Sequence, residues 1–197
     1  KPANIFLTHR GGVYAFIKLL DFGLVKAVDG REQATLTSTN AMAGTPMYLS
    51  PEGIKNPDRV DARSDLYAFG AVGYYLLTGT TVFDGESIIE ICMKHTQDDP
   101  ESPSERLGKP VSADLEQIIM QCLEKDPDKR PQSASELVLS LTRCEEDGQW
   151  SLLDASEWWK IHMESKAALE KTATDVPRIR SASADATLIV NLAEEDE

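Results

Sequence analysis

Apolar residues form short runs near the start of the chain and fall into helical spacings beyond residue 60. Asn4 to Leu7 and Val13 to Leu20 flank Gly11-Gly12, the pattern of a β-hairpin. From Val25 to Ala43 the chain is polar and has no sustained period. It reads as a loop, and long loops in compact domains are usually functional or disordered. Ser64 to Thr78 predicts a helix with Asp61 or Ser64 as its cap and Gly79 as its stop. Leu66, Phe69, Val72, Tyr74, Tyr75, Leu76 and Leu77 cover most of that helix, so it belongs in a core. Gly70 and Gly73 within it cost roughly 1 kcal/mol each against alanine, which implies close approach by a neighbour.

Ser87 to His95 predicts a shorter helix. Ser112 to Glu124 is the cleanest amphipathic one, with Leu115, Ile118, Ile119, Cys122 and Leu123 on one face and Asp114 and Glu116 near its positive end. Ser133 to about Arg143 closes the helical part. Beyond Cys144, Asp154 and Glu157 have capping-box spacing ahead of Trp158 and Trp159, which predicts a helix to about Lys171 with the tryptophans packed on the helical part. From Thr172 onward small, polar and acidic residues dominate, and disorder is expected.

Composition narrows the function classes. A net charge of −13 argues against binding to nucleic acid or to an anionic membrane. The three cysteines are far apart and form no Cys-x-x-Cys pair, so a reducing compartment is expected and a zinc site is not. The three histidines lack metal-ligand spacing and read as surface or packing residues. No apolar run reaches the roughly 18 residues of a membrane helix, and a cytoplasmic location is the expectation. The start at Lys1, without an initiator methionine, suggests a fragment.

Three segments point to chemistry. Lys1-Pro2-Ala3-Asn4 precedes Asp21-Phe22-Gly23, which precedes Gly44-Thr45-Pro46-Met47-Tyr48-Leu49-Ser50-Pro51-Glu52. Phosphoryl transfer needs acidic and amide oxygens to hold Mg²⁺ on a nucleotide, together with a loop that positions the accepting hydroxyl. By these residues the chain resembles the catalytic C-terminal lobe of a bacterial-type, eukaryotic-like protein serine/threonine kinase. The resemblance covers about Lys1 to Arg143. It implies an α+β fold, a mostly helical lobe with a small β-hairpin carrying the metal site. It divides the chain into a catalytic part at 1–143, a helical extension at 144–171 and an acidic tail at 172–197.

The resemblance also assigns roles. Asn4 and Asp21 would hold Mg²⁺ on ATP, Lys1 would reach the transferring phosphate, and Thr45 would line the site for the residue next to the acceptor. Lys1-Pro2 and Thr45 favour protein substrates with serine or threonine acceptors. Glu52 and Arg130 would form a buried ion pair fastening the activation segment, and Asp65 would anchor the catalytic-loop backbone. Thr35, Thr37, Ser38 and Thr39 are candidate phosphorylation positions, with Thr37 and Thr39 at the places where bacterial kinases of this type often take activating phosphates. Arg178-Ile179-Arg180-Ser181 is a further candidate modification or docking segment.

Two look-alikes are set aside. Lys18, in Ala15-Phe16-Ile17-Lys18, imitates the phosphate-binding strand lysine but stands immediately before Asp21. Gly70 and Gly73 lie within a helix and cradle nothing. The Gly-rich loop, the strand lysine, its glutamate partner and the catalytic-base aspartate have no counterparts in the sequence, so this piece alone is expected to be inactive. A pseudokinase or scaffold binding protein partners through the helical lobe is the alternative; the presence of both Asn4 and Asp21 speaks against it.

Overall fold

A computed structural model describes residues 1–10, 13–20, 46–145 and 147–172. Its Cα packing divides into two compact units, one built on the middle of the chain and one on the early hairpin and the late helix. Among the described residues helices dominate and one two-stranded antiparallel sheet accompanies them, the α+β content expected.

The larger unit contains six helices among the described residues: α1 (Pro51–Lys55), α2 (Ala62–Thr78), α3 (Ile88–Gln97), α4 (Pro103–Leu107), α5 (Ala113–Cys122) and α6 (Ala134–Leu141). Serine starts most of them. Ser87, Ser112 and Ser133 each accept the backbone N–H three residues on, satisfying a donor that the first helical turn leaves open. Asp61, not Ser64, caps α2 by accepting from the Arg63 N–H at 2.8 Å. Gly79 ends that helix at φ 74°, a left-handed conformation that glycine adopts without a Cβ clash. The short helices α1 and α4 were not anticipated, although Ser50-Pro51 and Ser102-Pro103 carry the signal. In each the serine caps, and proline occupies the first helical position, where its missing N–H costs nothing.

The core of this unit is the crossing of α2 on α5. Tyr67, Ala71 and Tyr74 of α2 meet Ile119 and Leu123 beside Val82 and Phe83, while Leu66 meets Ile118, Cys122 and Leu137 on the other side. The glycines in α2 permit this approach. A Cβ on Gly70 would lie 2.7 Å from the Cys122 Cβ and 3.3 Å from its backbone carbon, and one on Gly73 would strike the end of the Ile119 side chain. Phe69 and Leu76 remain exposed, so α2 is buried over most of its circumference rather than all of it.

A graded outcome follows. Gly70→Ala gains about 1 kcal/mol of helix propensity but overpacks against atoms that cannot rotate away, at roughly 1–3 kcal/mol. Gly73→Ala meets the end of the Ile119 side chain, which a rotamer change can move. Urea unfolding is expected to show a lowered midpoint for Gly70→Ala and little change for Gly73→Ala.

The smaller unit contains β1 (Ile5–Arg10), β2 (Val13–Leu19) and α7 (Leu152–Thr172). The strands pair Ile5 with Leu19 and Leu7 with Ile17, with an irregularity near Thr8 to Arg10. β1 therefore runs three residues past the Leu7 expected from the apolar run. The buried Thr8 hydroxyl donates to the Phe16 carbonyl at 2.9 Å. α7 begins one turn earlier than its expected cap. Ser151 accepts from the Asp154 N–H while Asp154 accepts from the Ser151 N–H at 2.8 Å, so the capping box is Ser151 with Asp154 and not Asp154 with Glu157. Within this unit α7 packs on β2, and the buried Trp159 ring lies 6.0 Å from that of His9.

Candidate active site

Lys1 is exposed, and Asn4 is half-buried in a 3-10 turn, Pro2–Asn4, that leads into β1. The Asn4 carbonyl accepts the Leu20 N–H at 2.8 Å, so the end of β2 is bonded back to the start of β1. Asp21 is the next residue after Leu20; it lies outside the described residues, as do Thr45 and the hydroxyl group Thr35, Thr37, Ser38 and Thr39. Lys18 pairs with Phe6 in the hairpin ladder, an ordinary strand position.

The Glu52–Arg130 pair is formed as expected. Arg130 donates Nη1 to Glu52 Oε1 and Nη2 to Glu52 Oε2, each at 2.8 Å, and its side chain is fully enclosed. Its remaining donors go to backbone carbonyls: Nε to Glu124 at 2.7 Å, Nη1 to Arg63 at 3.0 Å and Nη2 to Lys125 at 3.2 Å. The guanidinium carbon also stands 4.9 Å from the centre of the Tyr67 ring. Five donors thus have five acceptors, which a planar fork permits and an ammonium does not. Burial pushes the Glu52 carboxyl up, but hydrogen bonds from Arg130 and Ser64 outweigh it and hold the group at about 2. The Ser64 hydroxyl donates to Glu52, a role the sequence did not reveal. Glu52 lies on α1, at the end of the segment that begins with Gly44-Thr45, and the pair fixes α1 to the loop after α5 and to the start of α2. Asp65 is exposed in the first turn of α2.

A second buried polar contact lies beneath the same segment. His95 of α3 is fully buried, with Nδ1 2.7 Å from the Tyr67 hydroxyl and the Phe83 ring edge-on at 5.0 Å. Ile88, Ile91, Cys92 and His95 share one face of α3 by helical spacing, which is the signal that a packing role for this histidine rests on. Burial first and the neighbouring Lys125 charge second push the imidazole down to about 4, against a weaker opposing pull from the Met47 backbone. Lys125 is itself pushed down to about 8 by burial, which the nearby Asp99 and Asp98 only partly offset. Its ammonium lies 4.5 Å from the centre of the Phe83 ring.

The buried histidine makes stability depend on pH. Its unfolded pKa is about 6.5, so between pH 6.5 and 4 the unfolded chain binds more protons than the folded one. Stability is fully present above pH 6.5 and falls as acid is added through that window. Glu52, being depressed, loses its contribution only below its ordinary value of 4.5. Between pH 6.5 and 5 the loss from His95 approaches about 1.4 kcal/mol per pH unit. Denaturation at both pH values, in wild type and in His95→Phe, is expected to give a difference of about 2 kcal/mol in acid sensitivity.

The protein kinase domain family matches residues 1–140. The chain belongs to the protein kinase family. It is 37% identical over 177 residues to a probable serine/threonine-protein kinase PknB of Corynebacterium glutamicum, covering 88% of this chain and 26% of that protein. It is 41% identical over 149 residues to a probable serine/threonine-protein kinase of Streptomyces coelicolor, covering 76% and 21%. It is 40% identical over 143 residues to serine/threonine-protein kinase PknB of Mycobacterium tuberculosis, covering 73% and 22%. The chain therefore spans about a quarter or less of the length of these bacterial relatives. Among the described residues no helix is long and apolar enough to cross a membrane.

Proposed function

We propose that this chain supplies the metal-holding and peptide-accepting parts of a protein serine/threonine kinase that transfers the γ-phosphate of Mg·ATP to serine or threonine hydroxyls. The observation that carries this reading is the Leu20 N–H bonded to the Asn4 carbonyl at 2.8 Å. It ties the turn bearing the Asn4 amide to the residue directly before Asp21, and consecutive Cα atoms lie only about 3.8 Å apart. An amide oxygen and a carboxylate are hard donors that suit Mg²⁺, which keeps phosphate and water in the rest of its shell. Two such ligands suffice, because phosphate and water complete the shell. Bound there, the ion would neutralise the nucleotide phosphates as their charge develops.

This chain's own residues would then orient and accept. Lys1 would meet the phosphate in transit, and Thr45 would line the peptide site. The Glu52–Arg130 pair would keep the segment after Thr45 fixed to the helical unit. We place the catalytic part at 1–143, the helical extension at 144–171 and the acidic tail at 172–197, and we place the protein in the cytoplasm, where its cysteines stay reduced. The chain is read as a C-terminal lobe, and the nucleotide roof and the catalytic base would come from other parts of the kinase.

The test is transfer of labelled γ-phosphate to serine, threonine and tyrosine peptides by the full-length protein, with and without Mg²⁺. Mg²⁺-dependent labelling of serine or threonine, and none by the isolated 197-residue chain, is the expected result. A full-length protein that labels nothing would leave the scaffold reading in its place.

A further inference from the structure

Pro46–Tyr48, a short 3-10 turn, directly follows Thr45 and packs on both α2 and α3. His95 and Tyr67 stand at that junction, one on each helix, and join across it at 2.7 Å. We propose that His95 is a positioning residue for the peptide-accepting segment, holding Pro46–Tyr48 in place through Tyr67 and releasing it when the imidazole takes a proton. The inference rests on the kinase reading for its consequence in catalysis, though not for the contact itself.

The geometry supplies the mechanism. The ring is fully enclosed, and its Nε2 makes no well-formed hydrogen bond. Burial of the Tyr67 hydroxyl keeps it protonated, so it can donate to Nδ1 of a neutral imidazole. Adding a proton makes both ring nitrogens donors. The Tyr67 hydroxyl must then turn round to accept, and a positive charge appears in an apolar enclosure.

The charged and titratable groups around the ring decide the sign. Lys125, beyond α5, adds like charge beside it. Asp98 and Asp99, just past α3, act on Lys125, as do Lys55 of α1 and Arg130. Arg130 and Glu52 act on Tyr67 with opposite signs. The Met47 backbone, in the turn itself, pulls weakly toward the charged ring, but burial and the Lys125 charge outweigh it, so the protonated ring favours the opened arrangement. The Lys55 ammonium meanwhile binds the Thr96 carbonyl at 3.0 Å, so α1 and α3 stay tethered while the turn between α2 and α3 loosens.

The experiment uses the full-length protein and its Tyr67→Phe, His95→Phe and His95→Asn forms, with KM measured separately for peptide and ATP. Tyr67→Phe and His95→Phe are expected to raise the peptide KM about five- to tenfold, as loss of one buried hydrogen bond would, and to leave the ATP KM in place. The double variant is expected to cost no more than either single change. His95→Asn, whose amide reaches the place of Nδ1, is expected to restore most of the peptide affinity. In wild type the peptide KM is expected to rise as pH falls below about 6.5, and in His95→Asn to stay flat. Peptide and ATP KM rising together, or an Asn variant as acid-sensitive as wild type, would overturn the proposal.

Amide hydrogen exchange at Met47, Tyr48 and Leu49 in the 197-residue chain separates this inference from the kinase reading. Corrected for intrinsic rates, exchange there is expected to quicken in His95→Phe and, in wild type, at pH 5. Unchanged exchange overturns the positioning role whatever the peptide assay shows. Quickened exchange in a protein that phosphorylates nothing removes the kinase reading and keeps the latch.

Discussion

Arg130→Met is expected to lower the unfolding free energy of the helical unit by about 3–5 kcal/mol, enough to remove much of the stability of an ordinary domain. The loss comes chiefly from what is left behind. Glu52 keeps a carboxylate with only 12% of its side chain exposed, and the backbone carbonyls of Arg63, Glu124 and Lys125 lose their donors together. Arg130→Lys is expected to recover little. Its three donors on one nitrogen cannot face two carboxylate oxygens and three carbonyls at once. Glu52→Leu paired with Arg130→Met is expected to cost less than Arg130→Met alone, because no stranded charge remains. Urea denaturation of the four proteins at pH 7 reads the ordering directly. A loss below about 1 kcal/mol for Arg130→Met, the range of exposed pairs, would show that the pair does not hold the unit together.

That pair also shows what can be read from residues in order. Glu52 and Arg130 are 78 positions apart, and no periodicity or local spacing joins them. Only the resemblance of Ser-Pro-Glu and of Asp-Pro-Asp-Lys-Arg-Pro to motifs of the kinase family does. The helices were legible for the opposite reason: each is announced by its own serine or aspartate cap and apolar face, so α2, α3, α5 and α6 fall within a few residues of expectation. α1 and α4 were missed because five residues are too few for a period, leaving Ser-Pro as their sole mark. The partners of a buried polar group are a tertiary matter, and Ser64 is the example. It looked like a helix cap, yet its hydroxyl serves Glu52 while Asp61 caps the helix. His95 reads as either a surface or a packing residue, and nothing local marks it as the partner of Tyr67, 28 positions away.

Asp21→Asn in the full-length protein is expected to lower kcat/KM for phosphoryl transfer by about 10³-fold or more, since a metal's charge stabilisation is worth several kcal/mol. The substitution keeps size and one oxygen and removes the negative charge that favours a divalent ion. On the proposed assignment Asn4→Ala would remove the neutral ligand and is expected to cost less, and the double variant little more than Asp21→Asn, because both oxygens would serve one cluster of charge. Nucleotide binding gives a readout that does not depend on turnover. Mg²⁺ is expected to strengthen ATP binding to wild type, while Asp21→Asn binds ATP alike with and without the ion. Lys18→Ala is the control, a strand residue opposite Phe6 that the proposed assignment gives no part in phosphate binding. If Lys18→Ala were as damaging as Asp21→Asn, the look-alike strand would be the true phosphate site, and the metal would have to be sought away from the turn that Leu20 ties to Asn4.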